Sequence, residues 1–422
     1  MTSLSLLLWI VSGIVLQLAI YFGIGFWRHW QGYQALRESA TESGLTVSPV
    51  AASAMPEEAP LSAWSGYRTF SVERKIIEDA AQSVCSFYLV PEDAQPLPSF
   101  LPGQFLTFRL DVPGTAATEQ IVRCYSLSDA PRADGYRISV KRAVPPRDCE
   151  VPPGRSSNHL HDHIAVGNRL QVRAPSGHFH IDRSDAPVVL IGGGIGITPM
   201  LSMLNWCLAE QPGREVWLFY GVRNSREQVM KAQLETLAVE HPNFHLWLCF
   251  SDPLPEDRAG HDFQHQGRVD VSLLRTQLPL RPYHFYICGP TPMMDSLVTA
   301  LEDWGVPEAR IHFEAFGPAS IKRRLGAVPT TADQVTRNDI VVTFAKSGKQ
   351  LAWQPASGSL LEFAEANGIA VYSGCRAGGC GSCQTTIQSG EVAYRNPPDY
   401  DPEPGSCLLC VCSPKTSVTL EA

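Results

Sequence analysis

The hydrophobic rhythm of the chain changes several times along its length. From Leu4 to Trp27 no residue is charged, and Leu, Ile, Val, Phe and Trp dominate. As a helix this run would extend about 36 Å, against a bilayer hydrocarbon core of about 30 Å, so the pattern predicts a transmembrane helix at 4–27 within an N-terminal segment 1–27. Residues 28–65, with many Ala, Ser, Pro and Glu, lose all periodicity and read as a flexible linker. Over 66–184 short β-rich runs alternate with turn signals, among them QFLTFRLDV, QIVRCYSLS, YRISVKR and RLQVRAP. Their spacing predicts an antiparallel β-barrel.

Over 185–318 the strands become unbroken apolar blocks, VVLIGGG, EVWLFYGV, FHLWLCFS and HFYICGP. Helical stretches such as PMLSMLNWCLAE and REQVMKAQLETLAVE separate them, which predicts an α/β domain with a parallel sheet covered on both faces. Residues 319–336 read as a second linker. Residues 337–422 return to strands around one helix, SLLEFAEANG, as in an α+β domain.

Charge adds an exclusion and an orientation. The formal net charge of −8 gives no general attraction to nucleic acid. Arg28 and Arg37 follow the apolar run and no basic side chain precedes it. That asymmetry predicts a single pass with the N-terminus outside and the catalytic domains cytoplasmic. A cleaved signal peptide fits less well, because the small-x-small site Ala52-Ser53-Ala54 lies far past the apolar stretch. Of twelve cysteines, six lie beyond residue 374, a clustering that points to a metal in a reducing compartment and not to a disulfide framework.

Two glycine-rich turns carry candidate nucleotide chemistry. In VVLIGGGIGITPM, Gly192, Gly193, Gly194 and Gly196 let the backbone approach a pyrophosphate, and the following helix offers N–H donors. Thr198 is the expected helix cap, with Pro199 in the first turn. ICGPTPMM places Cys288, Gly289 and Pro290 at another strand end of the same sheet, where parallel sheets bind ligands. Each feature has a plainer reading. Tight strand–helix turns need glycine anyway, and an isolated Cys288 is more often a small core residue. On the barrel, Arg123, Tyr125 and Ser126 of RCYS, and Ser157 of GRSSNHLHD, read singly as a surface ion pair, a strand aromatic and turn hydroxyls.

Cysteine spacing is more telling. SGCRAGGCGSC sets Cys375, Cys380 and Cys383 in a Cys-x4-Cys-x2-Cys pattern, the spacing of plant-type 2Fe-2S centres, with glycines that let a loop wrap closely. Structural zinc usually shows two short paired spacings, which are missing here. GSCLLCVCSP offers Cys407, Cys410 and Cys412 as a fourth ligand. Strand alternation does not separate Cys410 from Cys412, since both would face one side.

Taken in order, PGQF, R-x-Y-S, G-x-x-S, GGGIGITPM, CGPTPMM and HFEAF resemble the ferredoxin–NADP reductase superfamily over about residues 66–318. GYRISVKR and SSNHLHDHIAVGNRLQV look most like the reductase part of flavohaemoglobins. The resemblance implies FAD, with FMN the lesser alternative because phthalate dioxygenase reductases share R-x-Y-S. It implies that Arg123 meets the flavin pyrophosphate, Tyr125 packs on the isoalloxazine, Ser126 faces flavin N5 and Ser157 supports the phosphates. It extends the cofactor-binding set to Val140, Lys141, Gly154, Ser156, Arg223, Gly289, Pro290 and Phe316, and places Cys288 and Glu314 beside the nicotinamide–flavin contact. Arg223 and Arg226 lie where a 2′-phosphate would bind, with surface arginines as the plainer reading, so NADH and NADPH stay open.

Residues 337–422 resemble plant-type ferredoxin domains, which implies a β-grasp fold. The ligand of that family lies four residues before a proline, so Pro414 selects Cys410. The whole resembles oxygenase reductases: a hydride passes from NAD(P)H to flavin, and single electrons go on through the cluster to an acceptor protein. The anchor suggests a membrane-bound hydroxylase, desaturase or oxygenase as acceptor. Two alternatives stand beside this reading. One is an NADH:quinone reductase like the sodium pump's flavin subunit, in which the ferredoxin domain comes first. The other is a non-catalytic membrane redox sensor or scaffold.

Overall fold

The computed structural model describes residues 64, 66–114, 117–145, 152–316, 340–354, 357–374, 376, 378–394, 398 and 400–422. They fall within one compact unit, Ser62–Ala422. Among the described residues no helix is long and apolar enough to cross a membrane. The segment expected to span, 4–27, lies outside the described residues, as do the expected linkers at 28–65 (Trp64 apart) and 319–336, and Cys375.

Six antiparallel strands form the first sheet: β1 (Arg68–Ile77), β2 (Val84–Pro91), β3 (Phe105–Pro113), β4 (Thr118–Ser126), β5 (Tyr136–Lys141) and β6 (Arg169–Ser176). Their order is β4-β3-β6-β1-β2-β5. An antiparallel bridge between Leu127 and Ile138 joins the two edges and curls the sheet toward a barrel. Alternate side chains point inward, so Phe70, Phe87, Leu89, Leu106, Phe108 and Ile138 make one core. Trp64, expected in the linker, stacks near Phe70 and Tyr136 and donates to the Val172 carbonyl at 3.2 Å. Helix α1 (Arg155–His163) crosses between β5 and β6.

The second sheet is parallel throughout. It contains β7 (Val188–Gly193), β8 (Val216–Val222), β9 (Phe244–Phe250), β10 (His265–Gln266), β11 (His284–Cys288) and β12 (Ile311–Glu314), in the order β10-β9-β8-β7-β11-β12. Helices α2 (Ile197–Glu210) and α3 (Lys231–Glu240) contribute to the core on one face, α4 (Val271–Gln277) and α5 (Thr291–Asp303) to that on the other. Every residue of β7 is buried, which is why its sequence is an unbroken apolar run. The helix expected to start near Arg226 starts only at Lys231. Met230 is left-handed (φ +53°), and the preceding segment bonds to the barrel, with Ala81 N–H donating to Arg226 O and Met230 N–H to Glu78 O. Contact with the neighbouring domain takes those backbone groups away from the helix.

The C-terminal domain orders β13 (Val341–Phe344), β14 (Lys349–Ala352), β15 (Gln384–Ser389), β17 (Ser406–Leu408) and β19 (Val418–Leu420) as β14-β13-β19-β15-β17, with β16 (Val392–Tyr394) and β18 (Cys412–Pro414) forming a separate pair. Helix α6 (Leu360–Ala366) packs on this core. Its start is a capping box: Ser359 Oγ accepts from Glu362 N, and Glu362 Oε2 accepts from Ser359 N at 2.7 Å.

A buried arginine ties the barrel to the parallel sheet. Arg214, with its side chain wholly buried, donates to the carbonyls of Asp182 and Ala186 at 3.0 and 2.7 Å and pairs with the Asp182 carboxylate at 2.5 Å. Residues 182–187 are the second half of the connection between the two sheets. Arg214→Met should therefore cost about 3 kcal/mol, because it strands two carbonyls and a half-buried carboxylate. Urea unfolding followed by tryptophan fluorescence measures this, with the loss expected in the barrel and parallel-sheet transition.

Candidate functional site

Strand β4 brings the expected flavin residues to the junction of all three domains. Ser126, 6% exposed, donates through Oγ to Glu314 Oε2 at 3.4 Å. Glu314 ends β12 and stands opposite Cys288 in the parallel register. Cys288 is fully buried, and burial first, then the Glu314 carboxylate, pushes its thiol well above the usual range. Cys288 is thus held neutral, as a packing thiol beside the Ser126–Glu314 contact. Strand pairing brings Cys288 and Glu314 together, and the contact between domains adds Ser126.

Tyr125 neighbours Ser126 on β4. Its hydroxyl lies 3.0 Å from Ser156 Oγ, and its ring meets Phe108 edge-on at 5.7 Å. Burial pushes the phenol up to about 12, so it remains protonated. Ser156 and Ser157 sit in the first turn of α1, behind Gly154, and Ser157 Oγ accepts from Ala143 N at 3.2 Å. On the same helix Asn158 Oδ1 and His159 Nδ1 are buried without a hydrogen-bond partner. Val140 is buried and its carbonyl meets His161 Nε2 at 2.8 Å. Lys141 Nζ lies 3.5 Å from Glu227, which also pairs with Arg223. Arg226 sends its carbonyl to Ala81 N.

Arg123 goes in an unforeseen direction. Its Nη1 donates to the Val122 carbonyl at 2.7 Å and to the Gly374 carbonyl at 3.1 Å, in the cysteine loop of the C-terminal domain.

The two glycine turns form one structure. A Cβ on Gly196 would sit 2.1 Å from the Cys288 carbonyl oxygen, and one on Gly193 would meet Pro290 Cδ at 2.8 Å. A Cβ on Gly289 would come within 3.1 Å of the Gly193 backbone. These glycines therefore serve backbone-to-backbone packing, leaving Gly194 in the left-handed region (φ +53°) facing open space. Thr198 is not the cap. The cap is Gly196, which makes no side-chain hydrogen bond, and Thr198 Oγ1 donates to Ile195 O from within the first turn. Two successive tight turns put the helix start two residues earlier than a Thr cap requires. Phe316, beyond β12, is 45% exposed.

In the cysteine loop, Cys380 and Cys383 are buried, and Cys383 Sγ lies 3.1 Å from Cys410 Sγ. Cys412 occupies β18, inside the same core as Cys407, and both are free thiols. Between Leu408 and Cys412 the chain turns, so the alternation of a continuous strand does not apply. The turn separates Cys410 from Cys412.

Three protein-family models match the chain: an oxidoreductase FAD-binding domain over residues 74–181, an oxidoreductase NAD-binding domain over 190–299, and a 2Fe-2S iron-sulfur cluster binding domain over 342–415. A flavohemoprotein from Halalkalibacterium halodurans is 41% identical over 257 residues, 61% of this chain and 61% of its own length. The flavohem-like FAD/NAD-binding domain of nitric oxide dioxygenase from Vibrio cholerae is 32% identical with a TM-score of 0.52, covering 60% of this chain and 100% of that one. Phthalate dioxygenase reductase, described as a modular structure for electron transfer from pyridine nucleotides to 2Fe-2S, is 27% identical with a TM-score of 0.51, over 85% of this chain and 98% of that one. The chain belongs to the ferredoxin–NADP reductase superfamily. It carries oxidoreductase FAD- and NAD-binding domains and a 2Fe-2S cluster binding domain. The chain spans about 61% of the length of the flavohemoprotein.

The residues present fit those cofactors. Hydroxyls and backbone N–H groups at the start of α1, with Arg123 nearby on β4, suit a phosphate-bearing flavin. Among the described residues no three ligand side chains close on one point, but the Cys383–Cys410 thiol pair beside the glycine-rich loop suits part of an iron–sulfur site.

The close approach of β7 and β11 gives a direct test. Gly196→Ala should cost about 2–3 kcal/mol, since its Cβ would overlap a backbone carbonyl, and should abolish NAD(P)H binding. Gly194→Ala should cost only about 1 kcal/mol, for the left-handed backbone alone. Differential scanning calorimetry and nucleotide titration of the two variants separate packing from conformational strain.

Proposed function

We propose that the protein is a membrane-tethered reductase that draws electrons from NAD(P)H and delivers them, through FAD and a 2Fe-2S cluster, to an oxygenase, hydroxylase or desaturase. The observation that carries this reading is the two-sided use of β4. Ser126 reaches Glu314 of the nucleotide domain, and Arg123, three residues away, reaches Gly374 of the cysteine loop. A cofactor held along β4 would lie between an electron donor and an electron acceptor. When bound, FAD accepts a hydride and gives up electrons singly, which a one-electron carrier then relays.

The chain's own residues bind and orient. We assign Arg123, Ser156 and Ser157, with the start of α1, to the flavin phosphates, and Tyr125 to the face of its ring. Val140, Lys141 and Gly154 line the same side. Ser126 offers a hydroxyl hydrogen bond at the reacting edge, and Glu314 fixes that hydroxyl. Gly193, Gly194, Gly196 and Thr198 form the nucleotide turn, with Gly289, Pro290 and Phe316 beside it. Arg223, already paired with Glu227, would face the far ribose. Cys375, Cys380, Cys383 and Cys410 are the cluster ligands.

The membrane part rests on the uncharged run 4–27 and the basic residues after it. The oxygenase acceptor rests on the likeness to phthalate dioxygenase reductase over most of both chains.

Cys410→Ser should remove the visible absorbance of the cluster but leave flavin bleaching by NADH intact, whereas Cys412→Ser should keep both. A Cys412→Ser protein without cluster absorbance, alongside a normal Cys410→Ser spectrum, would reverse the ligand assignment. A sensor or scaffold would show no bleaching at all.

Deleting residues 1–61 should yield a protein that stays in solution without detergent, keeps its flavin, and reduces ferricyanide at a near-normal rate. Turnover with the membrane acceptor should fall about 100-fold, because confinement to one surface raises effective concentration by that order. Fusing an unrelated single-pass anchor of the same orientation should restore most of it. Recovery that requires the native helix sequence would make residues 4–27 a recognition surface.

A further inference from the structure

The flavin barrel and the cysteine loop meet through a side chain that no motif marks. Arg173 lies on β6, in the interior of the barrel sheet, where its backbone pairs with Thr107. Its Nη1 donates to the Cys380 carbonyl at 2.8 Å. Its guanidinium also lies 5.3 Å from the Tyr67 ring centroid and 5.4 Å from that of Tyr400. Tyr67 belongs to the barrel. Tyr400 belongs to the other domain and leaves no room for a Cβ on Gly381, which would come within 2.6 Å of its ring.

We propose that Arg173 is the positioning residue that docks the cluster loop on the flavin barrel. Three observations converge on this. First, the bond to Cys380 O holds the loop at a residue assigned as a cluster ligand, so a shift there would move the electron acceptor itself. Second, one guanidinium engages two segments of the C-terminal domain that reach the barrel, the 378–383 loop and the stretch at Tyr400. A planar cation between two aromatic faces is pre-organised for this in a way that lysine is not. Third, the surfaces around it are in close contact. A Cβ on Gly379 would fall 2.5 Å from Phe105 of the barrel, so the loop approaches as closely as its atoms allow.

The role is positional: no bond forms or breaks at Arg173, and the number of electrons passed is unchanged. Its charge adds a second effect. A cation beside a thiolate-rich centre favours the added electron, so Arg173 should raise the reduction potential of the cluster. The proposal rests on Cys380 being a cluster ligand, as assigned above.

The test compares the full-length wild-type holoprotein with Arg173→Ala, Arg173→Lys and Arg109→Ala. Arg109 stands over the same Tyr67 ring, at 4.4 Å, and serves as the control for barrel packing. In Arg173→Ala, amide exchange of peptides 378–383 and 400–406 should speed up about tenfold, as loss of a charged hydrogen bond predicts, while β8 peptides stay unchanged. The cluster potential should fall. Stopped-flow reduction of the flavin by NADH should be normal, but flavin-to-cluster transfer should slow about tenfold or more, because misplacement by an ångström can cost on the order of 100-fold. Arg173→Lys should recover the potential and only part of the transfer rate.

Unchanged exchange in Arg173→Ala, or equal loosening in Arg109→Ala, would overturn the proposal. Were the wild-type chain to lack a 2Fe-2S spectrum, the ligand assignment would fail, and the exchange comparison would still decide the docking.

Discussion

The arrangement of the three domains depends on the register of strand β4. Because successive residues of a strand face opposite sides, Arg123 and Ser126 are turned away from each other. One finds the Gly374 carbonyl in the cysteine loop, the other the Glu314 carboxylate on the nucleotide sheet. A slip of one residue in the pairing of β4 with β3 would exchange those faces and lose both contacts. Nine paired positions hold that register, and the barrel core beneath it is closed by the Leu127–Ile138 bridge. The ordinary packing of an antiparallel sheet thereby sets the path between domains.

Around this strand the domain contacts divide by physical type. The barrel meets the parallel sheet through buried polar groups, chiefly Arg214 on residues 182–187 and the backbone bonds from Glu78 and Ala81. Such contacts are costly to break, because each leaves an unsatisfied partner. The barrel meets the C-terminal domain through cations, aromatic rings and backbone carbonyls, with Arg123, Arg173 and Tyr400 prominent. Those groups are partly exposed and individually weaker. Among the described residues, the nucleotide and flavin domains are joined by buried polar bonds, and the cluster domain is set against them by more exposed, more adjustable ones.

The cysteines show how chemistry and packing share one residue type. Cys288 is a neutral thiol in a fully buried position, and it is its backbone carbonyl that the Gly196 turn presses against. Cys407 and Cys412 fill the core of the C-terminal domain against Leu408 and Val418. Cys383 and Cys410 instead turn their sulfurs toward each other at the loop. Burial alone does not distinguish these groups. What distinguishes them is whether the backbone beside the thiol is paired in a sheet or free in a turn.

Much was legible in the sequence because it is local. The period of apolar residues marked the antiparallel and parallel sheets, since one face or two must be buried. The glycine turns and the Cys-x4-Cys-x2-Cys loop announced themselves through spacing. Other features were settled only by tertiary packing. The start of α3 was moved to Lys231 when the barrel took the backbone bonds of the preceding residues. The cap of α2 fell on Gly196 because the turn before it had to clear the Cys288 carbonyl. Arg123 reached the cysteine loop, and Cys410 came to face Cys383, because of contacts between segments some 250 and 27 residues apart. Arg173 sits in a plain alternating strand, RLQVRAPS, with nothing in its neighbours to single it out. A periodic pattern reports which side of an element is buried. It carries no record of which distant carbonyl or ring will lie opposite, and that was decided by the way the domains close on one another.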